Sequence, residues 1–129
     1  MILLDTNALI WLYRDSPNLG PRARATISEA DRVHFSAVSV TEIVMKHMLG
    51  RIDLPGGAAF PAVFTDSGLV ELPFTVAHAA ALLEIPALAR HDPFDRMLVA
   101  QARAEAIPLL TSDPTLLALG EERVRDARL

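Results

Sequence analysis

Short apolar runs alternate with longer stretches of helical periodicity along the chain. The candidate strands are Ile2–Asp5, Val33–Ala37, Leu69–Leu72, Ile107–Thr111 and a weaker Val124–Leu129. In the last of these runs, charged residues alternate with small apolar ones, a pattern that an edge strand tolerates. Strand-sized runs separated by helical segments are typical of an α/β domain, so we predict a mainly parallel central sheet.

Helices are predicted in the segments between the strands. They are Thr6–Arg14, Pro21–Ala30, Val40–Leu49, about Ala58–Thr65, Val76–Glu84, Pro93–Ala106 and Pro114–Leu119. Pro21 and Pro93 suit the first turn of a helix, where the missing N–H costs nothing. The segment that begins at Pro93 is the longest and most periodic, and we expect Leu98 and Val99 to lie on its buried stripe.

The composition indicates one globular domain over residues 1–129. Of the 129 residues, 51% are hydrophobic and 22% charged, which is enough apolar material for one core. The longest apolar stretch, Ala8–Tyr13, is far too short to cross a membrane, and Met1 leads directly into a strand-like run rather than a basic leader. We therefore expect a cytoplasmic protein. The absence of cysteine excludes disulfides, thiolate catalysis and cysteine-type zinc sites.

Acidic residues follow the predicted strands at several points. These acids each come after a short apolar run, near the start of a predicted helix: Asp5, Glu42, Asp92, Asp95 and Asp113. Parallel strands place their carboxyl ends at one edge of the sheet, where open α/β sheets bind ligands. A cluster of carboxylates with no obvious cationic partner repels itself unless a divalent metal neutralises it. The pattern therefore predicts a metal site.

Helix capping is a competing explanation for these acids. Ser39 and Glu42 have the spacing of a capping box, and Asp92 precedes a first-turn proline, as helix caps often do. Taken singly, Asp5 is better explained as a cap, while the two explanations of Glu42 are balanced. The joint pattern favours the metal site, because independent capping selects Ser, Thr and Asn about as often as Asp.

The predicted ligands suit Mg²⁺ or Mn²⁺. These ions prefer oxygen ligands, and a pair of them can clamp the attacking and leaving oxygens of a phosphodiester. Hydrolysis of such a bond needs no side-chain nucleophile, which agrees with the absence of cysteine. The four histidines form no close pair that would indicate zinc. Only His91 lies near the predicted site, where it could hydrogen-bond an acid or the substrate.

The formal net charge of −4 gives no global field that would attract nucleic acid. Lys46 is the only lysine, whereas arginines are numerous. Because arginine grips phosphates bidentately, a local basic rim around an acidic centre is compatible with the sequence. Arg96 is the candidate to pair with a neighbouring acid or to contact a substrate phosphate, although an ordinary solvated helix face explains any single arginine.

Four segments stand in a characteristic order along the chain: MILLDTNALIWL, SAVSVTEIVMKHMLGRIDL, HDPFDRMLVAQA and LLTSD. Together they resemble a PIN domain, and within that family they are similar to the VapC-type toxins of bacterial toxin–antitoxin pairs. The similarity covers essentially the whole chain, and it is the order and spacing of the motifs that make it specific. The resemblance implies a single three-layer α/β/α domain over residues 1–129.

The resemblance also implies roles for individual residues. Four acids correspond to the metal-binding and catalytic set of the family: Asp5, Glu42, Asp95 and Asp113. Thr6 and Ser112 correspond to polar supports, and Asp92 belongs to the DPFDR form of the motif, where it either supports the ligands or binds metal. Family members cleave RNA with Mg²⁺ or Mn²⁺, form homodimers and are silenced by a cognate antitoxin. We therefore expect an RNA substrate, a homodimer and a VapB-type antitoxin partner.

Two other functions compete with the nuclease. An aspartyl-phosphate phosphatase also uses an Asp after the first strand. However, Asn7 stands where haloacid-dehalogenase-like phosphatases keep a second Asp, and Lys46 offers no clear match for their phosphate-binding lysine. The non-enzymatic alternative is a catalytically inactive PIN-like binding module whose acids only cap helices. Metal titration separates this module from the enzyme.

Overall fold

Five strands form one parallel sheet in the computed structural model, which describes residues 1–129. The strands are β1 (Ile2–Leu4), β2 (Val33–Ser36), β3 (Val70–Leu72), β4 (Leu109–Thr111) and β5 (Val124–Asp126). Their order across the sheet is β3-β2-β1-β4-β5, and every neighbouring pair is parallel. The predicted parallel sheet is thus confirmed, and the weak fifth strand is an edge strand. All five carboxyl ends lie at one edge of the sheet.

Helices cover both faces of this sheet. They are α1 (Thr6–Arg14), α2 (Pro21–Glu29), α3 (Ala37–Met48), α4 (Ala62–Asp66), α5 (Val76–Ala81), α6 (Pro93–Glu105) and α7 (Pro114–Leu117). Side chains alternate between the two faces along β1. Ile2 and Leu4 pack in an apolar cluster with α1, α2, α3 and α4, whereas Leu3 packs in a second cluster, mainly with α5, α6 and α7. The three-layer α/β/α architecture is confirmed.

None of these helices combines the length and the apolar character that crossing a membrane requires. The longest, α6, has 13 residues; Leu98 and Val99 are buried as predicted, but they belong to a run of five consecutive buried residues, 98–102, rather than to a stripe on one face. Helix α6 also begins at the carboxyl edge of the sheet, so its first turn lies at that edge. The middle of the helix packs in one of the two apolar clusters.

Helix α3 begins three residues earlier than predicted, with a direct consequence for Glu42. Ser36, the last residue of β2, is the N-cap, and its Oγ accepts a hydrogen bond of 2.9 Å from the backbone N–H of Val38. The predicted capping box of Ser39 and Glu42 is therefore wrong, because the strand passes into the helix without a loop. Ser39 lies fully buried within the first turn, and the Glu42 side chain is left free to face the carboxyl edge.

Two helices away from the site are clearly shorter than expected, and α7 ends at Leu117, before its predicted end at Leu119. Residues 58–65 form a 3₁₀ turn at Gly57–Ala59 followed by α4, because Pro61 forces the preceding Phe60 into an extended conformation (φ −71°, ψ 137°). Helix α5 ends at Ala81 and continues as a 3₁₀ turn over Leu82–Glu84. Neither change reaches the carboxyl edge of the sheet.

Candidate metal centre

A polar cavity of about 430 Å³ opens at the carboxyl edge of the sheet. No hydrophobic side chain lines it; the lining residues are Asp5, Thr6, Asn7, Glu42, Lys46, Asp92, Asp95, Ser112, Asp113, Pro114 and Arg128. The structure therefore brings together all five acids that the sequence singled out, as well as Thr6 and Ser112. Five carboxylates face two cations, Lys46 and Arg128, so the cavity is acidic.

Asp5 lies directly after β1 and is bonded through both oxygens. Its Oδ1 caps α1 by accepting a hydrogen bond of 2.7 Å from the N–H of Ala8. Its Oδ2 accepts hydrogen bonds from Thr111 Oγ1 at 2.8 Å and from the N–H of Ser112 at 3.0 Å. Burial raises the pKa of Asp5, although these three bonds favour its ionised form. The carboxylate thus joins β1, α1 and the end of β4.

Asp92 and Asp113 also cap helices, but each uses only one oxygen to do so. Oδ1 of Asp92 accepts from two backbone amides of α6, at 2.9 and 3.1 Å. Oδ1 of Asp113 accepts from two backbone amides of α7, at 2.7 and 3.2 Å. Capping is therefore the correct local explanation for Asp5, Asp92 and Asp113. It does not exclude a metal role, since the second oxygens of Asp92 and Asp113 are not used by the caps.

Asp95 and Asp113 form a hydrogen-bonded pair of acids beside His91. Nε2 of His91 lies 2.9 Å from Oδ2 of Asp113 and 3.4 Å from Oδ2 of Asp95. Burial raises the pKa of Asp95 to about 8, and the hydrogen bond to Asp113 and the negative charge of Asp113 act in the same direction. Burial also disfavours ionisation of Asp113, but the hydrogen bonds from Asp95, His91 and the backbone of Leu116 and Thr115 together outweigh it, and the pKa of Asp113 is lowered. The environment therefore disfavours the charge of Asp95 and favours that of Asp113.

This arrangement fits a divalent cation. One oxygen each from Asp95 and Asp113 and one ring nitrogen of His91 lie within 4.8 Å of one another. The charges of Asp92 and Asp5 add to the repulsion that raises the pKa of Asp95. A cation at this point would neutralise the acids, and carboxylate oxygens are the ligands that Mg²⁺ and Mn²⁺ prefer.

Glu42 has a cationic partner that the sequence interpretation overlooked. Its Oε2 lies 2.6 Å from Nζ of Lys46, one helical turn later on α3. The expectation that the acids lack a cationic partner is therefore wrong for Glu42. Since the residues are four apart, this pair is one that helical spacing alone could have indicated.

Thr6 and Ser112 both support the cavity wall. Oγ1 of Thr6 donates a hydrogen bond of 2.9 Å to Oγ of Ser39, which ties α1 to α3. Oγ of Ser112 accepts a hydrogen bond of 3.0 Å from the side-chain amide of Asn7. The first contact joins α1 to α3, and the second joins α1 to the end of β4. Both therefore hold the elements beside Asp5 and Glu42 in fixed relative positions.

Thr111 is a site residue that sequence reasoning missed. Its Oγ1 donates to Oδ2 of Asp5 and accepts a hydrogen bond of 3.0 Å from the N–H of Asp113. It is fully buried at the end of β4. A hydroxyl as the last residue of an otherwise apolar strand was the available signal, because a buried hydroxyl needs a polar partner.

Arg96 does not line the cavity. Its Nη1 instead donates a hydrogen bond of 2.9 Å to the carbonyl oxygen of Ala89. The arginine that does reach the cavity is Arg128, which follows β5 and donates from Nη1 to the carbonyl oxygen of Ser112 at 2.6 Å. No local motif surrounds Arg128, so only the tertiary structure brings it to this site.

Fold and cavity together define an α/β/α protein with an acidic centre at the carboxyl edge of a parallel sheet. The family model of the PIN domain matches residues 2–122, and the chain belongs to the PIN domain family. A search of the curated proteins finds no match in sequence.

Solved structures share this fold, and three of them illustrate the likeness. VapBC2 from Rickettsia felis, bound to a DNA fragment from its promoter, is 14% identical with a TM-score of 0.68, covering 97% of this chain and 96% of that one. DNA-bound VapBC from Salmonella typhimurium is 22% identical with a TM-score of 0.63, covering 97% and 95%. FitAcB from Neisseria gonorrhoeae is 24% identical with a TM-score of 0.57, covering 88% of each chain.

Proposed function

We propose that this chain is a VapC-type toxin, an endoribonuclease that hydrolyses RNA phosphodiester bonds with Mg²⁺ or Mn²⁺. The observation that carries the proposal is the cluster of His91, Asp95 and Asp113 at the acidic cavity, whose potential ligand atoms lie within 4.8 Å of one another. Membership of the PIN domain family and the likeness to VapBC complexes support it. The proposal treats residues 1–129 as one PIN-like domain.

Four carboxylates would hold the metal and act in catalysis: Asp5, Glu42, Asp95 and Asp113. When bound, the ion supplies an acidified water and neutralises charge on the phosphate. Because the pKa of Asp95 is raised, a cation held between the acids would compete with a proton, and its affinity would rise with pH. Supporting roles fall to Thr6, Ser112 and Asp92. They hold the starts of the helices in place and take no part in bond breaking.

Asp5 is suited to a fixed role in this scheme. Its three hydrogen bonds to Ala8, Thr111 and Ser112 hold both oxygens in one orientation before any ligand binds. Preorganised charge of this kind needs no rearrangement during the reaction, which is where electrostatic catalysis gains most. Lys46 offsets the charge of Glu42 in the metal-free protein and lies where it can also face a phosphate.

The same contacts disfavour an aspartyl-phosphate mechanism. A phosphoester formed at Oδ1 of Asp5 would weaken the hydrogen bond that this oxygen accepts from the N–H of Ala8, whereas a metal can use the remaining lone pair of Oδ1 with that bond in place. Asn7, at the position of the second acid in such phosphatases, uses its amide to bind Ser112. Neither residue is arranged for phosphoryl transfer to a side chain.

A cleavage assay with chelator tests the proposal. Labelled single-stranded RNA of mixed sequence is incubated with the protein in Mg²⁺, in Mn²⁺ and in EDTA. We expect cleavage with either metal, none in EDTA, and a loss of at least about 100-fold in Asp5→Asn and Asp95→Asn, as for removal of a principal electrostatic group. Asp66→Asn, which changes an exposed acid of α4, is the matched control. Cleavage that persists in EDTA or in both cavity variants would contradict the metal mechanism.

The partners follow from the same proposal. We expect a VapB-type antitoxin to bind the toxin and suppress cleavage, and the toxin itself to form a homodimer. Light scattering during size-exclusion chromatography gives the mass of the isolated protein, for which the expected value is twice the 14.0 kDa of one chain. A monomer at micromolar concentration would remove the dimer from the proposal without affecting the nuclease.

A further inference from the structure

Arg128 is the one cation of the cavity that no acid neutralises. Lys46 lies 2.6 Å from Glu42, whereas none of the ion pairs of the structure includes Arg128. We propose that Arg128 binds a backbone phosphate of the RNA strand in the cavity and so supplies the local positive charge that the overall charge of −4 does not. This inference rests on the proposed nuclease function.

The guanidinium of Arg128 is held in place from two sides. Nη1 donates to the carbonyl oxygen of Ser112 at 2.6 Å, and Cζ lies 5.3 Å from the ring centroid of Trp11. A cation over an indole face is attracted to it, so Trp11 favours this position of the guanidinium. Because the group carries five N–H donors and only one contact uses them here, most of them are available to a ligand.

The backbone around Arg128 is fixed as well. The N–H of Ala127 donates to the carbonyl oxygen of Thr111 at 2.8 Å, and the N–H of Gly20 donates to that of Ala127 at 2.9 Å. At Gly20 the approach is so close that an added Cβ would lie 2.3 Å from the carbonyl oxygen of Arg128. The arginine is thus positioned by β4 on one side and by the start of α2 on the other, before any ligand arrives.

The position of Arg128 relative to the acids favours a phosphate as its ligand. The Ser112 carbonyl that it binds belongs to the residue between Thr111, which hydrogen-bonds Asp5, and Asp113, which pairs with Asp95. A phosphodiester at the acid centre therefore meets a guanidinium at the neighbouring wall. The planar fork of arginine matches two phosphate oxygens, and the charge of the pair is complementary.

Steady-state cleavage kinetics test this inference. A labelled RNA oligonucleotide is cut by the wild type, Arg128→Ala, Arg128→Gln, Arg128→Lys and the control Arg125→Ala, which removes an exposed arginine of β5 outside the cavity. We expect KM to rise at least about tenfold in Arg128→Ala and Arg128→Gln, with Arg128→Lys intermediate. The slope of log KM against log salt should fall by about one, as for one lost phosphate contact. Arg125→Ala should match the wild type.

Binding measurements keep this inference separate from the nuclease proposal. If the wild type does not cleave, the proposed function is wrong, and fluorescence anisotropy with the same RNA then decides the role of Arg128. An affinity for RNA that is unchanged in Arg128→Ala and Arg128→Gln, with folding verified by thermal unfolding, would overturn the assignment. Unchanged RNA binding together with weakened binding of an acidic protein partner would assign Arg128 to that partner instead.

Discussion

The carboxylates on two walls of the cavity lie in different environments. The end of β1 forms one wall, and the start of α6 forms the other. On the β1 wall, Asp5 is 3% exposed and accepts three hydrogen bonds from neighbouring elements. On the α6 wall, Asp95 faces another acid, Asp113, and its pKa is raised to about 8. Three hydrogen bonds offset part of the burial that raises the pKa of Asp5, whereas burial and neighbouring acids act in the same direction on Asp95.

This difference indicates that a bound cation would stabilise the Asp95 wall more than the Asp5 wall. Groups that serve function are often held in arrangements that reduce stability, because the ligand supplies the missing interaction. Asp5 acts as part of the structure even without metal. Asp95 and Asp113 repel each other when both are charged, and only a bound cation would relieve that repulsion, so the two walls should respond in opposite ways to substitution.

The largest effect is expected at Asp5. Asp5→Asn turns an acceptor oxygen into an amide that faces the N–H of Ser112 and the hydroxyl of Thr111, or the N–H of Ala8. We expect loss of cleavage and a free energy of unfolding lower by about 1–3 kcal/mol, the range for leaving a buried hydrogen-bond partner unsatisfied. Urea unfolding monitored by circular dichroism checks the second effect. Equal or higher stability would show that the two walls do not differ.

Metal should stabilise the protein through the Asp95 wall. At a free Mn²⁺ concentration 100 times the dissociation constant, binding to the folded state alone adds about 2.7 kcal/mol. We expect Tm at pH 8 to rise with Mn²⁺ and not with NaCl of equal ionic strength, and the rise to disappear in Asp95→Asn. A Tm that does not depend on Mn²⁺ at millimolar concentration would favour the binding module over the enzyme.

Asp95→Asn should stabilise the metal-free protein, in contrast to Asp5→Asn. Because the pKa of Asp95 is raised from 3.8 to about 8 on folding, the folded state binds more protons than the unfolded state in that window. The contribution of Asp95 is therefore most favourable below pH 4 and is lost as pH rises towards 8. Solvent screening reduces the energetic effect of this shift. We therefore expect Asp95→Asn to be more stable than the wild type at pH 8 by about 1.4 kcal/mol, which is equivalent to one pKa unit.

Thermal unfolding of Asp95→Asn and the wild type from pH 4 to pH 8 in EDTA measures this difference. The gap in Tm should grow with pH, and Asp66→Asn should show none. A gap that is constant over the range, or has the opposite sign, would mean that Asp95 bears no unfavourable charge.

The smallest effect on cleavage is expected at Thr111. Thr111→Val keeps the shape but removes the hydroxyl that donates to Asp5 and accepts from Asp113. Each of these two hydrogen bonds contributes about 1 kcal/mol, so we expect the unfolding free energy to fall by about 2 kcal/mol. If Thr111 positions Asp5, kcat should fall in Thr111→Val while KM for RNA stays unchanged. Thr111→Ser should restore both kcat and the free energy of unfolding.

How far the sequence predicts this molecule depends on whether the signal is local. The apolar runs and the acids after them are local, so the sheet and the grouping of Asp5, Asp95 and Asp113 could be predicted. The start of α3 could not, because Ser36 and Ser39 are both acceptable caps and only the packing of Ser39 against Thr6 separates them. Arg128 lies beyond the recognisable motifs, and its place is set by contacts with Gly20 and Trp11.

The direct passage from β2 into α3 has a consequence for how this chain can change. With no intervening loop, the direction of the Glu42 side chain is set by its distance in residues from Ser36. One inserted residue would rotate Glu42 by about 100° around the helix axis and carry it away from the cavity. Insertions and deletions at this junction would therefore disrupt the cavity, whereas substitutions on the exposed side of α3 would not.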